Sequence, residues 1–439
     1  MSTQNTNQLA KAFFNAFPMS ASGGADESSY YVNRSDDDAH DPVMNIQQAI
    51  EWEEQAGSYL FTGLRGVGKT TELNRLITEL ENAGIAAFYC DASSYLDLTD
   101  PNLSQAELVL TALAGLSDAI RKKHGHDILK ETIWDRTRQL LGSDVTLKPK
   151  LKTSIAGVEA EVEFALQDNP DFKKHLVKFV RDSGEFFLQA QQFALELAKA
   201  IRNKTNATKI VLVVDSLERL SAPSGFEQDL FNSLREIFYN DPSRLQLGEI
   251  SVIYTAPPYL HAVLPNVDSG FSNSFCLPNF KVMDKPREDN ICNRNADGIC
   301  RMVNIVQRRF TDWQLLISQP VLENLIWMSG GNVRRLFSLL RHTASKAALN
   351  RVVLPLTEID APAVKQALAE ESKPLQWLNA DDRKWLKICR EKSGNLAQHI
   401  SILEQDLPPI IRLFDHSLIL DYQNGSIWYQ VSPIVRDHV

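Results

Sequence analysis

The sequence of 439 residues lacks several features that mark specialised classes of protein. Its formal net charge is −9, which excludes the globally basic field that attracts nucleic acid but leaves room for a local basic patch. Its five cysteines form no CxxC pair, as is typical of reduced thiols. No apolar run reaches membrane-spanning length, and the N-terminus lacks the charged-then-apolar order of a secretion signal. We therefore expect a cytoplasmic protein with no membrane partner.

The sequence does contain the composition of a globular protein with a large core. Apolar residues make up 44% and charged residues 23%, and the length suggests about two to four domains. Up to about residue 256, strands alternate with helices, and each strand is apolar on both faces. This pattern predicts an α/β fold with three layers, in which helices cover both sides of a mainly parallel sheet.

A phosphate-binding pattern follows the first predicted strand. Residues 61–72, FTGLRGVGKTTE, contain a glycine, four residues and then Gly-Lys-Thr, between a strand and a helix. The glycines let backbone N–H groups face a phosphate, the lysine supplies charge, and the threonine hydroxyl ligates Mg²⁺. A chance glycine-rich turn is the simpler alternative, and the strand–loop–helix context disfavours it. We expect ATP and Mg²⁺ as cofactors, bound by Gly63, Leu64, Arg65, Gly66, Val67, Gly68, Lys69, Thr70 and Thr71, with Thr70 also a metal ligand.

A second acidic motif follows another predicted buried strand, in IVLVVDSLERL at residues 210–220. Asp215 ends the strand and is placed to hold Mg²⁺ through water, although an aspartate here could instead cap the following helix. Ser216 cannot act as a general base unaided, so Glu218 is the best local carboxylate for polarising water. The alternative for Glu218 is a surface ion pair with Arg219.

These motifs together resemble the STAND class of P-loop ATPases, which are signal-transducing switches related to the AAA+ ATPases. The phosphate loop is followed by VVDSLERL, SVIYTAP looks like a sensor strand, and SGGNVRRLFSLL at 329–340 looks like a lid helix. The resemblance covers roughly residues 43–439. It implies that Arg334 senses the γ-phosphate and that Thr255 lies near the nucleotide. Lys69, Asp215, Glu218 and Arg334 are then the expected catalytic residues.

One departure from the AAA+ ring pattern concerns arginine. Ring ATPases usually present an arginine finger to a neighbouring subunit from the segment after the sensor strand, but no arginine lies between Leu245 and Pro286. Such an arginine contributes roughly 10³–10⁵ in rate in related phosphoryl transfer. Its absence here predicts slow turnover, or completion of the site by another chain. Arg308 and Arg309 are alternatives, although a surface patch is the favoured interpretation of both.

The pattern along the chain predicts four segments. Residues 1–42 form an N-terminal helix and a flexible segment, and residues 43–285 form the ATPase domain, with a helical and β-hairpin insertion at about 101–204. Residues 286–372 have helical periodicity and predict an all-α lid. Residues 375–439 combine short helices with two alternating strands around Asn424-Gly425, which predicts a winged-helix domain.

Two of these parts could contact a partner. Residues 145–166, VTLKPKLKTSIAGVEAEVEFAL, predict a hairpin with lysines opposite glutamates, and a self-neutralising solvent face is favoured over a partner contact. Residues 375–439 carry seven basic and eight acidic side chains, whereas DNA readers normally have a basic footprint. We therefore favour a regulatory role for the winged helix over DNA binding.

The resemblance implies an ATP-binding, slowly hydrolysing switch whose lid and winged helix move as a unit. STAND proteins usually add sensor repeats and an effector domain, for which this sequence has no room, so we expect a separate effector or sensor protein. Homo-oligomers are compatible with the pattern, and family analogy adds a role in anti-phage defence. Two alternatives stay open: a DNA-associated AAA+ ATPase of the initiator or transposition-regulator type, and a nucleotide-binding scaffold that hydrolyses nothing.

Overall fold

The computed structural model describes residues 3–19, 27–34, 41–125, 128–129, 131–141, 166–167, 169–264, 266–286, 292–391, 407–424 and 426–436. The chain divides into two compact units. The first, which we call the sheet unit, comprises Pro42–Thr62 and Glu72–Cys276. The second, the helical unit, comprises Met1–Asp41, Gly63–Thr71 and Leu277–Val439.

A five-stranded sheet forms the centre of the sheet unit. All its strand pairs are parallel, in the order β2-β3-β4-β1-β5. The strands β1, β3 and β4 are buried along their whole length, as expected when helices cover both faces of a parallel sheet. The predicted α/β fold with a mainly parallel sheet is therefore confirmed. The strands are β1 (Ser58–Thr62), β2 (Ala86–Asp91), β3 (Ile210–Asp215), β4 (Ser251–Ala256) and β5 (Asn273–Cys276).

The fifth strand was not predicted from the sequence. β5 has four residues, pairs only with β1 in the described sheet, and lies at its edge. Its burial is partial, because an edge strand has a neighbour on one side alone. A short strand with polar Asn273 and Ser274 has no apolar run, so the pattern of hydrophobic residues gave no signal.

Helices surround this sheet, and local signals explain several of their ends. The helix α4 begins with a capping box between Ser104 and Glu107 and ends at Gly125, whose φ is 80°. The helix α8 continues as a π-helical turn at Glu236–Asn240. The hairpin predicted at 145–166 lies outside the described residues except for Leu166, which is buried. The helices are α2 (Pro42–Trp52), α3 (Lys69–Asn82), α4 (Gln105–His124), α5 (Ile133–Leu141), α6 (Pro170–Asp182), α7 (Glu185–Thr205), α8 (Glu227–Arg235) and α9 (Tyr259–Val263); α3 begins inside the loop segment of the helical unit.

The helical unit has its own apolar core. Phe13 of α1 (Thr3–Asn15) and Phe17, just after this helix, are fully buried in the core, with ring centroids 4.9 Å apart, and Phe17 lies 5.3 Å from the Phe337 ring. The N-terminal helix therefore packs with the helices predicted as a lid. The N-terminal helix is α1 (Thr3–Asn15), and the helices of the predicted lid are α10 (Ala296–Arg309), α11 (Gln319–Ser329), α12 (Val333–Leu349) and α13 (Pro362–Glu371).

The C-terminal part of the helical unit contains the predicted β-hairpin. Strands β6 (Ile419–Asn424) and β7 (Ser426–Val431) pair antiparallel, and the Tyr422 and Trp428 rings stack with centroids 4.8 Å apart. The helices here are α14 (Ala380–Glu391), α15 (Leu407–Asp415) and α16 (Pro433–Arg436). The winged-helix assignment and the four domain boundaries stay predictions.

Candidate functional site

The phosphate loop connects β1 to α3, as the sequence predicted. Gly63, Gly66 and Gly68 have φ values of 151°, 82° and 108°, a region that favours glycine. The buried Lys69 side chain donates from Nζ to the carbonyl oxygens of Gly63 at 2.7 Å and Leu64 at 2.9 Å. The loop thus wraps around an ammonium group at the start of a helix. This arrangement fits a phosphate group, which needs a positive charge beside inward-facing backbone N–H groups.

Close neighbours explain why two of these positions need glycine. A Cβ at Gly63 would lie 2.5 Å from the Leu277 carbonyl oxygen. A Cβ at Gly66 would lie 2.5 Å from the Arg334 Cβ and 2.9 Å from Asn332 Oδ1. The loop is therefore packed closely against other segments of the helical unit.

The turn between α11 and α12, residues 329–335, holds the phosphate loop. Arg334 donates its backbone N–H to the Gly66 carbonyl at 3.0 Å, and Asn332 Nδ2 donates to the Arg65 carbonyl at 2.9 Å. Asn332 also caps α12, because its Oδ1 accepts from the Arg335 N–H at 3.1 Å. The predicted Arg334 is thus beside the loop, with an exposed side chain. Asn332 was not singled out from the sequence, although an asparagine before a helix is a recognisable cap.

Two glycines shape this turn. Gly330 and Gly331 have φ values of 63° and 78° and so adopt the left-handed conformation. A Cβ at Gly331 would lie 1.9 Å from the Phe280 carbonyl oxygen, so no side chain fits without moving the backbone. The two glycines therefore form a tight turn shortly before α12.

Arg34 also contacts the loop, and no motif in the sequence points to this contact. Its guanidinium donates to the carbonyl oxygens of Val67 and, at 2.8 Å, of Pro278. It stacks over the Phe280 ring, with Cζ 4.2 Å from the centroid. A single arginine thus links the N-terminal segment, the loop and the chain just after β5.

The acidic motif lies in the sheet unit, at the carboxyl end of β3. Asp215 is fully buried and accepts hydrogen bonds from Tyr89 Oη to Oδ2 at 2.8 Å and from the Ser216 N–H to Oδ1 at 2.7 Å. Burial, and then the charge of Asp215, raise the pKa of Tyr89 above its ordinary value. Asp91, at the end of the neighbouring β2, is in register with Asp215.

Ser216 and Thr255 shape the turn that follows Asp215. Ser216 has a φ of 76°, which is strained for a residue other than glycine. The Thr255 hydroxyl accepts from the Leu217 N–H at 3.0 Å and donates to the Val214 carbonyl at 3.4 Å. This turn positions Glu218, which is 6% exposed in a short 3₁₀-helix. Asp215, Glu218 and Thr255 therefore lie together in the sheet unit, whereas Lys69 and Arg334 lie together in the helical unit.

The two arginines considered as substitutes for a finger contact the N-terminal segment. Arg308 donates to the Tyr31 carbonyl oxygen, and Arg309 lies over the rings of Tyr30 and Phe337, at 5.1 Å and 4.8 Å. These contacts fit the interpretation of a patch on the helical unit better than that of a finger.

Two general features, a cluster of protein metal ligands and a membrane-spanning helix, are absent from the described ranges. There, no three His, Cys, Asp or Glu side chains converge as a protein metal centre would. Magnesium beside a phosphate loop needs only one or two protein ligands, because phosphate oxygens and water supply the others. None of the helices in this part of the chain is long and apolar enough to cross a membrane.

Comparison with known proteins supports the assignment of the loop. Residues 52–264 match a protein family described as "AAA domain". These residues are therefore similar to AAA-type P-loop ATPase domains, while the STAND subtype stays a prediction. No curated protein matches the chain.

Two solved structures show a distant likeness over most of the chain. ORC2 of Aeropyrum pernix, in ADPNP–ADP complexes, has 14% identity, with 93% of this chain and 94% of that chain covered and a TM-score of 0.41. RuvB of Thermotoga maritima, a Holliday junction branch migration motor, has 12% identity, with 96% and 97% covered and a TM-score of 0.36. Likeness at this level assigns no activity.

Proposed function

We propose that the chain is an ATP-binding and slowly hydrolysing switch that controls a separate effector or sensor protein. In this proposal Lys69 and Thr70 hold the phosphates and Mg²⁺, and Asp215 holds Mg²⁺ through water. Glu218 orients the attacking water, and Arg334 responds to the γ-phosphate. Bound ATP supplies the phosphoryl group, and the chain supplies position and charge.

The observation that carries this proposal is the double contact of the turn at residues 329–335. On one side, Asn332 and the Arg334 N–H bond the phosphate loop. On the other, Tyr422 Oη donates to the Gly330 carbonyl at 2.7 Å, and a Cβ at Gly330 would lie 2.2 Å from Leu420 Cδ1. A change in the loop on nucleotide exchange would therefore displace a turn that also supports the C-terminal hairpin, as a switch requires.

Arg335 adds hydrogen bonds between the turn at residues 329–335 and the C-terminal part of the chain. Its guanidinium donates to the carbonyl oxygens of His416 at 2.9 Å and Ser417 at 2.8 Å, and to Ser432 Oγ at 2.9 Å. Burial, followed by the charges of Arg65 and Arg335, lowers the pKa of His416. Arg334 therefore contacts the phosphate loop, whereas the adjacent Arg335 binds the C-terminal part to α12.

Replacing Arg335 with alanine should release the C-terminal part while leaving the fold of the sheet unit intact. Three hydrogen bonds from a charged group are lost, each worth about 1.5–3 kcal/mol. Amide hydrogen exchange in β6 and β7 should therefore rise at least tenfold, and ADP release should become faster. Arg335→Lys keeps the charge but not the planar fork, so an intermediate effect is expected. Unchanged exchange in the hairpin would contradict the role of this arginine.

The helix α15 supports a regulatory rather than a DNA-reading role for the C-terminal part. Most of its apolar side chains are buried, and Arg412, the one arginine in LPPIIRLFD, pairs with Asp382 at 2.9 Å. A recognition helix would instead direct basic side chains to solvent. A role in defence against phage stays a prediction of the family resemblance.

The test of the proposed function is the rate of ATP hydrolysis as the concentration of the purified protein is raised. A slow specific rate that stays constant, and that falls in Glu218→Gln, is expected for a self-contained switch. A specific rate that climbs steeply would mean that subunits complete one another's sites. ATP binding without turnover, unaffected by Glu218→Gln, would favour the scaffold alternative. DNA binding with a steep salt dependence would favour the DNA-associated alternative.

A further inference from the structure

Tyr89 lies on the strand next to the one that carries Asp215. β2 and β3 pair in parallel, with Tyr89 opposite Val213 and Asp91 opposite Asp215. This register brings the phenol of Tyr89 within 2.8 Å of Asp215 Oδ2, to which it donates a hydrogen bond. The contact joins two residues that are 126 positions apart in the chain.

The second oxygen of the same carboxylate is held from another direction. The Ser216 N–H donates to Asp215 Oδ1 at 2.7 Å, from a residue whose φ of 76° is strained. Because one donor comes from β2 and the other from the turn after β3, the carboxylate plane cannot rotate without breaking one of them.

We propose that Tyr89 is a positioning residue, which fixes the carboxylate of Asp215 in the orientation that receives hydrated Mg²⁺. This inference rests on the proposed function, in which Asp215 holds the metal. The phenol does not touch the nucleotide or the metal and acts only through Asp215. Partners of this kind typically change metal affinity by about 10–100-fold when they are removed.

The surroundings of Tyr89 allow its hydrogen bond to Asp215 to be tested without disturbing the packing of the core. Tyr89 borders a cavity of about 560 Å³ between β2 and α4, together with Asp91, Asp118 and Lys122. The side chain is partly exposed, and replacement by phenylalanine removes only its hydroxyl. Tyr89→Phe should therefore change one hydrogen bond and little else.

A matched control exists in the same sheet. Tyr254 of β4 is fully buried, and its hydroxyl donates to the Leu245 carbonyl at 2.8 Å. Tyr254→Phe also removes one phenolic hydrogen bond, but that bond is to a backbone carbonyl instead of to an acid. It should lower the urea concentration at the midpoint of unfolding, because one buried hydrogen bond is lost, without changing the response to Mg²⁺.

The experiment measures the dissociation constant of a fluorescent ADP analogue, in EDTA and across a Mg²⁺ titration, for the wild type and both variants. We expect Tyr89→Phe to match the wild type in EDTA, and to need about tenfold more Mg²⁺ for the same gain in affinity. Saturating Mg²⁺ should then restore it. Tyr254→Phe should follow the wild-type titration.

The outcomes separate this inference from the proposed function. If the wild type gains affinity with Mg²⁺ and Tyr89→Phe gains it at the same concentrations, the role of Tyr89 is wrong and the switch proposal survives. If Tyr254→Phe shifts the titration as much as Tyr89→Phe, the effect is structural and the inference is again wrong. If the wild type binds no ADP with or without Mg²⁺, the proposed function fails, and this inference fails with it.

Discussion

Replacing Lys69 with alanine should weaken ATP binding by about 10²-fold or more. The Lys69 ammonium is buried inside the loop, where its hydrogen bonds to the Gly63 and Leu64 carbonyls hold it ready for phosphate oxygens. Two charge-assisted contacts to phosphate, at about 1.5–3 kcal/mol each, correspond to a loss of at least this size. Isothermal titration with ATP and Mg²⁺ measures it, and hydrolysis should disappear in parallel.

Lys209 provides the control for Lys69. Its ammonium also donates to backbone carbonyls, those of Ile50 and Glu51 at 2.7 Å each, near the end of α2. Lys209→Ala should therefore cost the sheet unit stability but leave the ATP affinity within about twofold of the wild type. If Lys69→Ala bound ATP as the wild type does, the loop would not be the nucleotide site.

Replacing Gly331 with alanine should destabilise the helical unit by about 3–4 kcal/mol. A left-handed conformation costs an alanine roughly 1–2 kcal/mol, and the new Cβ would lie 1.9 Å from a backbone oxygen that cannot swing aside. Displacement of the turn would also withdraw Asn332 and Arg334 from the phosphate loop, so ATP affinity should fall together with stability. Urea unfolding followed by circular dichroism gives the first quantity, and titration with ATP the second.

Gly84 separates the two causes of that loss. Its φ of 77° matches the 78° of Gly331, but nothing lies within 4 Å of a Cβ placed there. Gly84→Ala should therefore cost only the conformational part, about 1–2 kcal/mol, and should leave ATP binding intact. Equal losses of stability in the two variants would show that the approach to Phe280 has no energetic weight.

Structural features that depend on one continuous stretch of sequence could be predicted. The strands β1, β3 and β4, the phosphate loop and the hairpin at Asn424-Gly425 each combine a local apolar period with a local turn signal. The contacts that complete the candidate site could not be predicted in this way. Arg34 meets Val67, Tyr89 meets Asp215, and Asn332 meets Arg65, at separations of 33, 126 and 267 residues. Apolar periodicity indicates which face of an element is buried, but not which distant polar side chain it meets.

The role of Thr255 beside the acidic motif also could not be predicted from the sequence. Thr255 was expected to face the nucleotide because it lies near the end of a sensor-like strand. Its hydroxyl bonds the Leu217 N–H and the Val214 carbonyl, and so supports the acidic turn. Such a bond depends on the pairing of β3 with β4, which no pattern within either strand reveals. Contact of Thr255 with nucleotide stays a prediction.

The contacts of the phosphate loop determine when, during translation, the candidate site can form. The loop's partner Asn332 lies 267 residues after Arg65. At roughly 5–20 residues per second, synthesis needs roughly 13–53 s to travel from one to the other. Through that interval the nascent chain carries the glycine-rich loop without the turn that braces it. High-affinity nucleotide binding should therefore be acquired only after α12 has left the exit tunnel, even though the loop itself is made much earlier.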